Sequence, residues 1–432
     1  MWPELDFSMT RTDIIKAAFK VWGRDLYRTT SLSQIALELG VSKPALYRHF
    51  KDKNALLDAM YVFFYDDFAV FMKTGYEKAV NAGGGRETYL ILLRTIAEYY
   101  VRNREAMLFS LTQVFNKSER ENLSKEFLAR GIDFAHPVFG ERVTTGVETT
   151  YPSKMQLTMT TLVFGVAQFH HHDREDSRIP LTESLPEDQV KRILMEVENR
   201  IINGLSLDAQ KVQALDYEAL ERRVAGTVYE ETETNALLRA AAEAVAEAGP
   251  WNTTMEMVAR RSGLSKSGLY AHFKNKQDML AQLFITEFMS IVNFAKAQIE
   301  ASSVFEDQLY LAIVSIVDYL RCRPEFLLAL DWIKTGRLDL GGEIPLRLKA
   351  AINDIKIEAI QKIDHHFLFK IAEWVLFMIV NTLALWPSNR LGDLICMGNS
   401  QSTIWAKKAK EVPNECFRLL FRYIALGLEG LN

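Results

Sequence analysis

Apolar residues recur at three- and four-residue spacing along most of the chain. "DIIKAAFKVW" (Asp13 to Trp22) and "NALLRAAAEAVAEAG" (Asn235 to Gly249) both read as one-sided helices. β-like alternation is scarce, so the pattern predicts an all-α protein. Ser206 to Thr234 breaks it: "EALERR" and "YEETET" are polar and charged, and the stretch reads as a linker that is in part helical. The longest apolar run, Trp374 to Leu385, is interrupted by Asn381 and falls short of the ~20 residues that a membrane span needs. It reads as a buried helix, with no membrane partner.

The pattern is also written twice. Ile15 stands opposite Leu238 and Leu57 opposite Leu280 without a gap between, and "SKPALYRHFKDK" (42–53) returns as "SKSGLYAHFKNK" (265–276). Further on, "AEYYVRNREAMLF" (97–109) echoes "VDYLRCRPEFLLA" (317–329) at a slightly shorter offset. Each half therefore has a small head and a larger body. The boundaries read as a first head 1–58, a first body 59–206, a linker 207–230, a second head 231–281 and a second body 282–432.

Within the first head, Thr30 or Ser31 can cap a helix through "LSQIALEL", Gly40 ends it, and Ser42 caps the next helix, "KPALYRHF". Pro44 falls in the first turn, where its missing N–H removes no hydrogen bond. Thr253 or Thr254, Gly263 and Ser265 repeat the arrangement. Ile35, Ala36, Leu39, Val41, Leu46 and Phe50 are the expected glue between the two short helices; Val258, Ala259, Leu264, Leu269 and Phe273 serve the second copy. A helix, a tight turn and a second helix present their free face to a groove of DNA.

On that face Lys43, Ala45, Tyr47 and Arg48, and in the second copy Lys266, Gly268, Tyr270 and Ala271, are expected to point outward, flanked by Ser42, Pro44, Ser265 and Ser267. Arg48 can grip guanine with two hydrogen bonds, whereas Ala271 offers at most a methyl contact, so the heads should read different sequences. His49, Lys51 and Lys53, with His272, Lys274 and Lys276, suit backbone phosphates. Thr29, Thr30, Asn252 and Thr253 add neutral phosphate donors.

The run G-[VL]-S-K-x-x-[LI]-Y-x-[HY]-F-x-x-K, at Gly40 to Lys53 and again at Gly263 to Lys276, resembles the DNA-binding domain of the TetR family of transcriptional regulators. The resemblance implies two tandem TetR-like units, each a helix-turn-helix head on a helical effector and dimerisation-like body. Implied, too, is a ligand-responsive repressor bound to double-stranded operator DNA. Two heads in one chain would replace the family's dimer by an intramolecular pseudo-dimer on an asymmetric operator, monomeric in solution, with further dimerisation open. The family's dimer-interface helices would fall near 154–170 and 187–205, and at 364–386 and 412–429. A second reading is a sensor or interaction protein whose second head is structural.

For the effector, a small hydrophobic or aromatic molecule, Phe64, Phe68, Tyr99, Phe109, Trp332 and Trp374 are the candidate wall; the bland alternative is plain core.

Composition alters little. Hydrophobic residues make up 48% and charged residues 25%, which is ordinary for a globular chain, and the formal net charge is −4. Positive charge is nevertheless local: Lys43, Arg48, Lys51 and Lys53 face only Asp52, and Val258 to Lys276 carries five cations and no acid. Cys322, Cys396 and Cys416 have no ligand or disulfide spacing. His170, His171 and His172 point in different directions on a helix and predict no metal site; Gly83 to Gly85 lacks the context of a phosphate loop. No catalytic constellation stands out, so no enzyme and no cofactor are expected. The N-terminus lacks a secretory pattern, which predicts a cytoplasmic protein.

Overall fold

The structure, a computed structural model, describes residues 10–25, 31–82, 85–110, 125–133, 154–170, 185–225, 233–333, 343–357, 365–385 and 409–431. Among these residues there is helix and no β-strand, as the apolar spacing predicts. None of the described helices is long and apolar enough to cross a membrane. The chain divides into two compact units, Met1–Thr144 with Phe169–Glu198, and Thr145–Gln168 with Asn199–Asn432.

The first unit holds α1 (Arg11–Asp25), α2 (Leu32–Glu38), α3 (Lys43–Tyr47), α4 (Lys53–Asn81), α5 (Arg86–Arg102) and α6 (Arg104–Phe109). Long α4 is capped by Asp52, whose carboxylate accepts from the Ala55 amide at 2.8 Å. Its buried Leu56, Met60, Phe64, Phe68 and Met72 lie on one face against α5. After α7 (Lys154–Gln168), which belongs to the second unit, comes α8 (Glu187–Asn203). Arg94 holds Glu198 and Arg102 holds Glu187 at 2.8 Å, pinning α8 along α5.

The second unit continues with α9 (Ala209–Gln213), α10 (Tyr217–Ala225), α11 (Glu233–Asn252), α12 (Met255–Ser262), α13 (Lys266–His272), α14 (Lys276–Ile299), α15 (Phe305–Cys322) and α16 (Pro324–Ile333). It ends with α17 (Glu343–Asn353), α18 (His365–Leu385) and α19 (Asn414–Leu426). Its large core takes in α7, which the repeat assigns to the first half. The reason is a buried hydroxyl. Thr161 Oγ1 accepts from Trp374 Nε1 at 3.3 Å and from the Tyr423 hydroxyl at 3.1 Å, and donates to Met378 Sδ at 3.6 Å. Trp374 and Tyr423 are wholly buried, so without Thr161 both polar groups would lose these bonds out of reach of water.

One turn along, Gln168 donates to the Lys370 carbonyl and to Glu373 while accepting from Arg200, whose guanidinium also lies over the Trp374 ring. The chain after α8 then passes against the end of α19. A Cβ on Gly204 would stand 2.3 Å from the Ile424 carbonyl oxygen and one on Gly427 2.2 Å from that of Ile202, and both glycines have positive φ. That proximity lets the Leu205 and Leu207 amides bond the Ile424 and Ala425 carbonyls.

The polar linker stretch is structured where described. Val212 and Val224 are buried, and the Tyr217 ring meets Tyr310 edge-on at 4.9 Å. Glu221 accepts two hydrogen bonds from Arg418, at 2.8 and 2.9 Å, and one from the Tyr310 hydroxyl. Burial pushes the Glu221 carboxyl up, but these bonds outweigh it and hold the group below the usual carboxylate range.

One of the differences between the bodies lies on the long helix that follows each head. Counted from the aligned Lys53 and Lys276, Phe64 of α4 corresponds to Glu287 of α14. Phe64 sits among aromatic rings; Glu287, 1% exposed, pairs with buried Arg323 and accepts from the Tyr319 hydroxyl at 2.7 Å. Arg323 bonds Glu325, which also takes Arg239 of α11, so a chain of charges joins the second head to its body. Removing one member of a buried pair leaves the other uncompensated. Glu287→Gln should cost roughly 3–5 kcal/mol in urea denaturation; a loss below ~1 kcal/mol would mean that Glu325 alone satisfies Arg323.

Candidate nucleic-acid interface

The two heads are built alike. Ser31 forms a capping box with Gln34, its hydroxyl accepting from the Gln34 amide and its own amide donating to the Gln34 side chain. Thr254 caps α12 at the Met257 amide, 3.2 Å. Gly40 and Gly263 close these helices with φ of 67° and 71°, the left-handed region that glycine enters without penalty. Ile35, Ala36, Leu46 and Phe50, and Val258, Ala259, Leu269 and Phe273, are buried between the helices. Leu39 and Val41 are half-buried, and Leu264 is exposed, so the second turn is less covered than expected.

In the first head Lys43, Pro44, Tyr47, Arg48 and Lys51 are exposed, with Ser42, His49 and Lys53 half-buried. The Lys43 ammonium stands 5.9 Å from the centre of the Tyr47 ring. Ala45 departs from expectation: it is buried at 8% exposure, because it shares with Leu46 the face of α3 that packs on α2. Thr29 and Thr30 lie outside the described residues.

In the second head Asn252, Ser265, Lys266, Ser267, Tyr270, Ala271, His272 and Lys274 are exposed, and Gly268 and Lys276 are half-buried. Burial holds the Lys53 and Lys276 ammoniums below the usual lysine value. Thr253 is 1% exposed and donates to the Ala244 carbonyl at 3.2 Å, so it ties α11 to the turn instead of offering a surface donor. Asn252 already gives its amide to the Ala248 carbonyl. One neighbour escaped the sequence reading: Glu256, two residues before the all-basic window, forms an ion pair with Lys266. Placing Glu256 opposite Ser33 in the gapless repeat is the signal that could have found it.

The N-termini of the two short helices differ for a local reason. Ser265 accepts from the Gly268 amide at 3.0 Å, whereas Ser42 makes no side-chain cap bond. A Cβ at Gly268 would press on the Ser265 hydroxyl at 3.3 Å, and the first head carries Ala45 at that place.

Away from the heads, Phe64, Phe68, Tyr99 and Phe109 come together. Phe64 lies 5.9 Å from both Phe68 and Phe109, Phe68 is 4.9 Å from Tyr99, and all four are buried. Phe19 of α1 meets Phe109 at 4.8 Å, so the cluster touches the first head. Trp374 belongs instead to the Thr161 junction, and the side chain of Trp332 lies outside the described residues. Among the described residues no group of three or more His, Cys, Asp and Glu could hold a metal.

Two helix-turn-helix heads in one helical chain define a class of regulator. The sequence profile described as "Bacterial regulatory proteins, tetR family" matches residues 14–60 and again 237–283. The chain carries two tandem DNA-binding domains of the TetR family of regulators. It is 28% identical over 83 residues to the "Uncharacterized HTH-type transcriptional regulator YhgD" of Bacillus subtilis (strain 168), covering 19% of this chain and 44% of that protein. It is 24% identical over 172 residues to the "Fatty acid metabolism regulator protein" of the same organism, covering 38% of this chain and 89% of that protein.

The cap difference yields a test. Ser265→Ala should destabilise α13 by about 1 kcal/mol and Ser42→Ala should weaken α3 by a few tenths at most. Amide exchange at Gly268 would quicken about five-fold in the first variant, while Ala45 in the second would barely change.

Proposed function

We propose that the chain is a sequence-specific DNA-binding transcriptional regulator, a ligand-responsive repressor whose two heads act as an intramolecular pseudo-dimer on an asymmetric operator. The observation that carries this reading is the shared register of exposed groups on both copies of the motif. Lys43, Tyr47 and Lys51 in one head, and Lys266, Tyr270 and Lys274 at the same places in the other, stand clear of the buried glue residues, joined by exposed Arg48 in the first and His272 in the second. Base edges then meet Arg48 and Tyr47, and phosphates meet the lysines and histidines.

The covalent pseudo-dimer is supported by α7 and the end of α8, segments of the first half that are buried with α18 and α19 of the second. A head tethered in this way reaches its half-site at high effective concentration once the other is bound. Arg48 opposite Ala271 supports an asymmetric site. For the effector, the aromatic cluster of the first unit supports a greasy small molecule, as does the likeness to a regulator named for fatty acid metabolism. Because Phe19 and Phe109 join that cluster to α1, a ligand wedged among the rings would favour a shifted head and release DNA by differential affinity for the two states.

The test uses duplexes selected by the full chain from a random-sequence pool. Arg48→Ala should lose roughly 1–3 kcal/mol of binding and relax base preference at one half-site. Lys51→Ala should weaken all sequences alike and flatten the salt dependence by about 0.9 in the log–log slope. Tyr270→Ala should relax the other half-site. An Arg48→Ala chain with unchanged affinity and preference would refute base reading by the first head; an indifferent Tyr270→Ala chain would make the second head a scaffold.

A further inference from the structure

We infer that Glu256 is a charge brake on the second head, whose hold on DNA it weakens by occupying Lys266; this rests on the DNA-binding reading above. The gapless repeat isolates the difference. Glu256 is the second residue of α12, and Ser33, exposed and uncharged, is the second residue of α2. Lys266 opens α13 as Lys43 opens α3. In the second head the ammonium is bound by the Glu256 carboxylate, with side chains about half exposed, 55% and 58%. In the first head Lys43 lies by the Tyr47 ring, and no carboxylate among the described residues pairs with it.

An ion pair this exposed contributes little to folding, because water and salt screen it and ordering two long side chains costs entropy. Its consequence lies at the interface. The paired side chains sit beside the face that a helix-turn-helix turns toward the phosphates. If the pair survives on DNA, Lys266 brings no net charge to the backbone. If it breaks, a bare carboxylate is left among phosphates. Either way Lys266 and Glu256 together neutralise about one phosphate fewer than an unpaired Lys266 would, which leaves the backbone to the other cations of the second head, among them Arg260 and Lys274.

The experiment compares the full-length chain with Glu256→Gln, Glu256→Ser and the reciprocal Ser33→Glu, titrated against a random-sequence 30-bp duplex pool between ~50 and ~200 mM salt. Both Glu256 variants should bind about three- to ten-fold more tightly, with a log–log salt slope steeper by about 0.9, and Ser33→Glu should bind more weakly with a shallower slope. Adding Lys266→Ala to Glu256→Gln should abolish the gain, which a purely structural role for Glu256 would not predict. Circular dichroism should show unchanged helix in every variant, as all three positions are exposed. Wild type that binds while both Glu256 variants match it in affinity and slope would overturn this inference alone. Wild type that fails to bind the pool at low salt would overturn the DNA-binding reading and the brake with it.

Discussion

A hydroxyl from the first half of the chain, Thr161, sits at the centre of the second half's core. It satisfies the indole of Trp374 and the phenol of Tyr423, two large groups with no access to water. Around it, the Gln168, Glu373 and Arg200 bonds and the close passage of Gly204 by Gly427 fix how α7 and the end of α8 lie on α18 and α19. Such contacts are unforgiving: a methyl group at either glycine meets backbone, not a movable side chain. The reading of the repeat as a pseudo-dimer built into one chain leans on this interlock, in which segments from both halves of the repeat share one core.

Given that join, the two halves are free to diverge, and they have done so by small local exchanges. Phe64 among aromatic rings becomes Glu287 in a buried charge chain. Ala45 with an unused Ser42 cap becomes Gly268 with a working Ser265 cap. Ser33 becomes Glu256 beside Lys266. The first exchange puts a charge chain tied to α11 where the first body has a greasy cluster, so the two bodies are not interchangeable. The last two alter the firmness and the charge of the second head without disturbing its fold.

What could be read from the sequence was what is local. The helix periodicity, the left-handed glycines at 40 and 263, and the outward Lys43, Tyr47, Arg48, Lys266 and Tyr270 follow from residues within a few positions of one another. Choices between neighbours were less legible. Thr253 turns inward and Thr254 caps, because the hydroxyl that reaches Ala244 is set by the packing of α11 and not by capping preference. Ala45 is buried since it falls beside Leu46 on the face of α3 that packs on α2. Least legible were distant pairings. Nothing periodic announces that Glu221 in a polar stretch meets Arg418, or that Trp374 donates to Thr161.

The central claim is that one chain supplies both reading heads of a single operator. The direct measurement is the mass of the complex formed on a duplex selected by the full chain, at about 150 mM salt with excess competitor DNA to suppress nonspecific phosphate binding. The account predicts one chain per duplex, with both half-sites protected. Two chains on that duplex, each protecting one half-site, would contradict it.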